Sequence, residues 1–355
     1  EQNRKRMVSG SIIFQSGDEL QSIPWDLFDR CILPVIFSHG AAIILSFVLN
    51  VLRISQVSSF TLFILFLILS LGTTIFYHNL TVSVLITGCE TRMSSVLAKQ
   101  LDELGFTVFA AFSDLSGDSQ ALKDECSGRL KIIQLNPTSE KQLQEAYQFV
   151  KNNLPQNAPG LWALINNNCW AAFGEVEWVP LQVYERAADY NLFATIRSTQ
   201  VFLPLLRKTQ GRIINVSSLA GKVASPVRSP FCSMKFALEA FSECLRLELK
   251  KWGVDVLILS CLMFLGSWFE EKEVLQQAKR MWQEMSDDSK ADYGEDYFEY
   301  KQRSETDLTP TVRSLVDSVT RTFPMARYTP VTKQEKLQAF VAEHLPRSVY
   351  DILYS

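Results

Sequence analysis

The sequence predicts an α/β fold, a doubly wound parallel sheet with an N-terminal hydrophobic helical segment. Three observations predict it. From Val82 to Leu259, short apolar runs alternate with helix-like patterns. Those runs are apolar throughout rather than at every second position, as in strands covered on both faces. Two long uncharged stretches precede them.

Taken in order, Val82–Thr87 reads as the first strand, followed by a helix over Met93–Leu104 with Gly105 at its C-terminal end. Strands are expected at Thr107–Phe112 and Leu130–Leu135, then a helix at Glu140–Asn152. A strand at Leu161–Asn166, a long helix at Tyr184–Leu206 and a strand at Gly211–Ser217 come next. A helix at Ser233–Trp252 and a strand at Val254–Leu259 complete the alternation. Beyond it only Glu270–Met285 and Pro310–Arg321 look helical; the remainder reads as polar and irregular.

The chain has 355 residues, 47% hydrophobic and 21% charged. That is room for one α/β domain of about 250 residues plus extra segments. The formal net charge of −3 gives no electrostatic case for a nucleic-acid partner. The seven cysteines include no Cys-x-x-Cys pair, which reads as reduced thiols in a cytosol-facing domain. His39, His78 and His344 are scattered, so no metal site is expected.

Cys31–Leu52 and Ser58–Tyr77 carry no Asp, Glu, Lys or Arg. Each matches the roughly 20 residues that span a bilayer as a helix. Arg4, Lys5 and Arg6 favour a cytosolic N-terminus, and a helical hairpin returns the chain to that side. A single span, with the first stretch lying in the interface, is the other arrangement. The expected organisation is therefore a polar segment 1–30, two membrane segments in 31–78, an α/β domain 82–265, and a C-terminal lid and helical region 266–355.

The turn Thr87-Gly88-Cys89-Glu90-Thr91-Arg92-Met93-Ser94 follows the first strand and opens a helix. That context suits a phosphate, because the first amides of a helix point outward and carry partial positive charge.

Several stretches together resemble the short-chain dehydrogenase/reductase superfamily, whose domain is Rossmann-like. They are Leu101–Ala110 (LDELGFTVFA), Gly160–Asn167 (GLWALINN), Phe202–Lys208 (FLPLLRK), Arg246–Leu249 (RLEL), Tyr293–Tyr297 (YGEDY) and Tyr328–Pro330 (YTP). With the hydrophobic N-terminus, they are similar to its membrane-bound branch of 17β-hydroxysteroid dehydrogenase type 2 and retinol dehydrogenases, and to the insect shroud/non-molting glossy group.

The resemblance implies NAD or NADP as cofactor, with Thr87, Gly88, Arg92, Ser94, Asn136, Asn166 and Lys235 at the cofactor-binding positions. It also shows departures. Arg92 and Ser94 replace the second and third glycines of Thr-Gly-x-x-x-Gly-x-Gly. Arg92 either clamps a phosphate, including a 2′-phosphate, or fills a site that no longer holds a dinucleotide. Asn136 stands where the family has Asp, Asn166-Asn167-Asn168-Cys169 where it has Asn-Asn-Ala-Gly, and Cys261-Leu262 where it has a Pro-Gly turn. Gly266 takes the position of a Thr.

Ser218, Lys235 and Asn191 match the family's catalytic positions, but its catalytic tyrosine is Phe231. A phenol near its normal pKa of about 10 works at neutral pH only when a nearby cation activates it, and a phenyl ring has no proton to give. Cys232 and Tyr190 are the sequence's replacement donors, although Cys232 points about 100° away around a helix. The resemblance implies an endoplasmic-reticulum membrane protein of steroid or ecdysteroid synthesis, its domain facing the cytosol and acting on a sterol or other lipophile. The alternative is a catalytically silent member that binds a sterol or a partner enzyme without cofactor.

Overall fold

The computed structural model describes residues 33–52, 58–78, 82–115, 117–156, 158–261, 271–293 and 307–354. Two compact units divide near residue 71. In the first, helices Leu33–Val51 and Ser59–His78 occupy the two apolar stretches. The rings of His39 and Phe63 meet edge to face at 5.4 Å, and Ala42 and Leu62 are buried. Ile36, Phe37, Phe47 and Phe60 are exposed.

Among the described residues no helix is long and apolar enough to cross a membrane. The two expected spans are not met on those residues.

The second unit holds a seven-stranded, all-parallel sheet. Its strands are β1 (Ser83–Thr87), β2 (Thr107–Phe112), β3 (Leu130–Gln134), β4 (Ala163–Asn166), β5 (Arg212–Ser218), β6 (Asp255–Cys261) and β7 (Arg327–Tyr328), in the spatial order β3-β2-β1-β4-β5-β6-β7. Every residue of β1, β2, β4 and β5 is buried, the physical reason these runs read as continuously apolar.

Side chains alternate between two cores. Val84 and Ile86 pack with Met93, Leu97 and Leu101 of helix Arg92–Glu103 and with Leu315 and Val319 of helix Thr309–Thr320. Leu85 packs with Leu143, Phe202 and Leu245, from helices Glu140–Asn152, Ala194–Thr209 and Ser229–Leu249. The strand order reverses between β1 and β4, so the crevice at their C-terminal ends is where an open α/β sheet binds ligands.

The six expected strands are present. The helix expected at 184–206 is three pieces: Leu181–Ala188, a π-helical turn Asp189–Phe193, and Ala194–Thr209. Helix Ser229–Leu249 starts earlier than expected because Pro230 lies in its first turn, where no amide is needed.

The C-terminal region is more regular than the sequence indicated. It contains the short strand β7 and helices Asp287–Tyr293, Lys333–His344 and Arg347–Tyr354. A reciprocal cap between Thr332 and Glu335 starts the second of these helices. Arg327 anchors β7 through hydrogen bonds to Glu239 and to Ser260 Oγ (3.1 Å).

Helix Glu271–Glu284 lays Ala278 and Met281 on Ala172, Trp178 and Val179. Trp282 meets the Trp178 and Tyr293 rings edge-on at 5.8 and 5.6 Å. The Tyr293 hydroxyl donates to Glu177 Oε2 at 2.8 Å.

Candidate active site

The loop after β1 is built around Gly88. Its φ is +67°, and an added Cβ would lie 3.0 Å from the Asn167 carbonyl oxygen. This left-handed, close approach is the one place in the turn where glycine is required. Thr87 Oγ1 accepts from Asn167 N at 3.2 Å, and Asn167 Nδ2 donates to Gly88 O at 2.8 Å, tying the β1 and β4 loops together.

Thr91 caps the following helix, with its Oγ1 accepting from Ser94 N at 3.2 Å. Ser94 is buried, and its hydroxyl folds back to Thr91 O at 2.8 Å. A serine therefore fits at the third glycine position without entering the crevice. Arg92 is exposed at the first helical position. Glu90 reaches across to accept from the Ser113 amide at the end of β2. Asn136 turns inward on its own loop, where its Oδ1 accepts from Thr138 N at 3.0 Å and Thr138 Oγ1 at 2.8 Å.

A polar row crosses the buried sheet. Asn166 Nδ2 donates to Asn215 Oδ1 at 2.9 Å, and Asn215 Nδ2 donates to Ser242 Oγ at 2.9 Å. Beside it, Asn166 Oδ1, Asn167 Oδ1, Asn168 Nδ2 and Ser217 Oγ are buried with no hydrogen-bond partner. Buried polar groups are nearly always paired, so this cluster marks a place where a ligand completes the network.

The four residues at the catalytic positions differ in condition. Ser218 Oγ accepts from Ala220 N at 3.2 Å and starts a short 3₁₀ turn. Asn191 is fully buried in the π-helical turn and bonds backbone only: Trp170 N and O, and Ala187 O. Phe231, expected at the tyrosine position, is buried. Lys235 is also fully buried. Its Nζ donates to Val216 O at 3.2 Å and lies 5.5 Å from the centre of the Phe231 ring. Among the described residues it forms no ion pair. The helix starting at Ser229 carries it away from water to the Val216 carbonyl of β5.

One neighbour of Lys235 was missed as a functional group. The Lys235 charge also acts on the Cys169 thiol. In the sequence Cys169 registers as a glycine lost from the β4 loop, and only the fold brings it to the lysine. Burial pushes the Cys169 thiol up, with Lys235 pulling against it. Cys261, at the end of β6, is pushed up to about 12 by burial. The replacement donors expected from sequence lie elsewhere. Cys232 is buried in its helix, and Tyr190 lies under the Arg186 guanidinium at 5.8 Å. Leu262 and Gly266 lie outside the described residues.

The residues fit a dinucleotide in their backbone more than in their side chains. The Gly88 turn, the capped helix start and the unpartnered Asn166, Asn167 and Asn168 atoms form a cradle, and Lys235 closes its inner end. Among the described residues no cluster of His, Cys, Asp or Glu holds a metal.

The family model for short chain dehydrogenases matches residues 82–273. D-beta-hydroxybutyrate dehydrogenase, mitochondrial, of Rattus norvegicus is 36% identical over 286 residues, covering 77% of this chain and 83% of its own. Estradiol 17-beta-dehydrogenase 2 of Mus musculus is 33% identical over 280 residues, covering 76% and 73%. Dehydrogenase/reductase SDR family member 9 of Homo sapiens is 33% identical over 279 residues, covering 76% and 86%. Among solved structures, a short-chain dehydrogenase from Streptomyces avermitilis superposes with a TM-score of 0.58 at 20% identity, over 77% of this chain and 95% of its own, and so shares the fold. With the strand order, the Gly88 turn and the Ser218–Lys235 spacing, these likenesses establish that the chain belongs to the short-chain dehydrogenase family and is related to steroid dehydrogenases.

Proposed function

We propose that this chain is a membrane-associated oxidoreductase that uses NAD or NADP to interconvert a ketone and an alcohol on a sterol or similar lipophile. The observation that carries this reading is Lys235. An ammonium sealed from water costs several kcal/mol unless it is compensated, and a neutral side chain would fill the space more cheaply. A lysine kept at the inner end of a dinucleotide-type cradle is best explained by a ligand that uses its charge.

Nicotinamide, when bound, supplies the hydride chemistry. The chain's own residues bind and orient. Backbone amides after Gly88 and at the start of helix Arg92–Glu103 suit the phosphates, and exposed Arg92 adds charge there. Lys235 suits a ribose, and Ser218 suits the orienting of a substrate oxygen. The aromatic cluster of Trp170, Trp178 and Trp282 offers a lipophile an apolar wall, and helix Glu271–Glu284 serves as part of its lid.

The exposed apolar side chains of residues 35–52 and 60–69 support attachment to a lipid surface. Family resemblance supports the endoplasmic reticulum, with the domain facing the cytosol. Resemblance to the insect shroud/non-molting glossy group narrows the lipophile to an intermediate of ecdysteroid synthesis.

Calorimetric titration with NADH and NADPH, followed by a panel of sterol ketones and alcohols, tests this reading. Micromolar binding of one nucleotide and turnover of a sterol are expected, whereas no nucleotide binding overturns it. Phe231 favours a second reading, a silent member that binds a sterol or a partner enzyme alone. Sterol binding with neither nucleotide binding nor turnover would establish that one.

A further inference from the structure

Ser218 is held by the turn it starts. Its Oγ accepts from Ala220 N at 3.2 Å, which uses one lone pair and leaves the O–H to donate to a substrate oxygen. Leu219 O closes the turn, accepting from Lys222 N and Val223 N at 2.9 Å each. Two parts of the fold grip it. Helix Ser229–Leu249 lies so close that a Cβ on Gly221 would meet Lys235 O at 2.9 Å and Glu239 Cγ at 3.0 Å. The turn therefore rests on the backbone of the lysine that closes the cradle.

The second grip comes from the last two helices of the chain. Leu219 and Val223, 6% and 9% exposed, share one buried cluster with Ala339 and Val341 of helix Lys333–His344 and with Tyr350 of helix Arg347–Tyr354. Gln338 Nε2 donates to Tyr350 Oη at 3.0 Å and joins the two helices. At the edge of the cluster the Lys222 ammonium pairs with the Glu343 carboxylate, their side chains 13% and 35% exposed. Glu239 and Glu243, which line the same pocket, pair with Arg327. Both helices lie beyond residues 82–273, the part the family model matches.

We propose that Lys222 and Glu343 are positioning residues, whose ion pair locks the C-terminal helices onto the Ser218 turn and sets the direction in which that hydroxyl meets the substrate oxygen. This rests on the oxidoreductase reading above. An apolar cluster is non-directional and leaves the register of the helices loose, whereas a charge pair at its edge fixes it. Partial burial shields this pair from salt better than an exposed one. Neither residue needs to touch substrate or cofactor.

The test uses the full chain and four variants: Lys222→Met, Glu343→Gln, Ser218→Ala, and Ser218→Ala combined with Glu343→Gln. Two measurements are read. The first is amide hydrogen exchange at Ala220, whose acceptor is the Ser218 hydroxyl, so its protection reports how well that hydroxyl is seated. The second is ketone reduction with NADH or NADPH, read as kcat beside nucleotide affinity.

Lys222→Met and Glu343→Gln should each speed exchange at Ala220 by about fivefold, with the β5 amides changed by less than about twofold. Each should lower kcat about tenfold, while nucleotide affinity stays within about twofold. In Ser218→Ala the Ala220 amide has already lost its acceptor. Adding Glu343→Gln there should change neither exchange nor kcat by more than about twofold, whereas a merely structural pair would subtract equally in both backgrounds. Unchanged exchange at Ala220, full kcat in both single variants, or a further fall in the double variant overturns the proposal while leaving the oxidoreductase reading intact. A wild-type protein that binds neither nucleotide overturns both.

Discussion

Asn191 and Trp170 are joined twice, Trp170 N donating to Asn191 Oδ1 at 3.2 Å and Asn191 Nδ2 donating to Trp170 O at 2.8 Å. The second Nδ2 hydrogen goes to Ala187 O at 2.9 Å. One buried amide therefore fixes both the π-helical turn and the loop that carries Cys169. Replacing it with leucine, close in volume, removes the partners of the Trp170 N–H and C=O. Asn191→Leu is expected to lower stability by about 2–4 kcal/mol in urea denaturation. It should also speed amide exchange at Trp170 more than in the strands.

Gly88 makes a second prediction. A methyl group there meets the Asn167 carbonyl at 3.0 Å and forces a left-handed backbone on an L side chain. Gly88→Ala should cost about 1–2 kcal/mol in folding. Because the same turn forms the phosphate cradle, it should weaken nucleotide binding in calorimetry by at least about tenfold. Gly105, at φ +93°, has open space around it. Gly105→Ala should show a comparable folding cost with nucleotide affinity unchanged, separating strain from site geometry.

Arg212 makes a third. Its Nη1 donates to the carbonyls of Ser318 (2.8 Å), Val319 (3.2 Å) and Arg321 (2.9 Å), and its guanidinium lies 4.5 Å from the Trp162 ring centre. A cation at the C-terminal end of helix Thr309–Thr320 meets the negative end of its dipole. Burial is what lowers the Arg212 pKa, to about 10. Arg212→Met should destabilise by about 3–5 kcal/mol, since the helix end stays buried and the Ser318 and Arg321 carbonyls lose the guanidinium, while Val319 O keeps the Trp162 indole at 3.0 Å. Thermal unfolding and far-ultraviolet circular dichroism of the variant check this.

The Cys261 thiol gives a pH prediction. Burial raises it from 9.0 to about 12, so the folded state holds this proton more tightly than the unfolded chain does. Its contribution is complete below pH 9 and is lost as pH rises through 12. Between pH 9 and 11, wild-type stability should fall faster than that of Cys261→Ala, measured as denaturant midpoints. At pH 8 a thiol reagent should label exposed Cys244 well before Cys261.

The sheet was legible because its strands are buried on both faces and carry their apolar character at every position, as in Val84-Leu85-Ile86. The site was legible in outline because Gly88, Asn166 and Ser218 lie at the ends of strands the sequence marks clearly. What escaped sequence reading depends on distant contacts. β7 is two residues long and is defined only by pairing with Ile258 and Leu259. The π-helical turn at 189–193 follows from Asn191 bonding across to Trp170. Lys235 was placed at the site by spacing, but its full burial was not legible because one sequence position says nothing of the strands above it.

The seventh strand bears on how the molecule is made. A ribosome releases β1 through β6 well before Arg327 leaves the exit tunnel. Until then the outer rim of Asp255–Cys261 stays open, and Glu239 waits without its guanidinium. An unprotected strand rim is a template for pairing with foreign chains. Nascent forms stopped short of residue 327 should therefore depend on chaperones, and this dependence should end once the last few dozen residues are delivered.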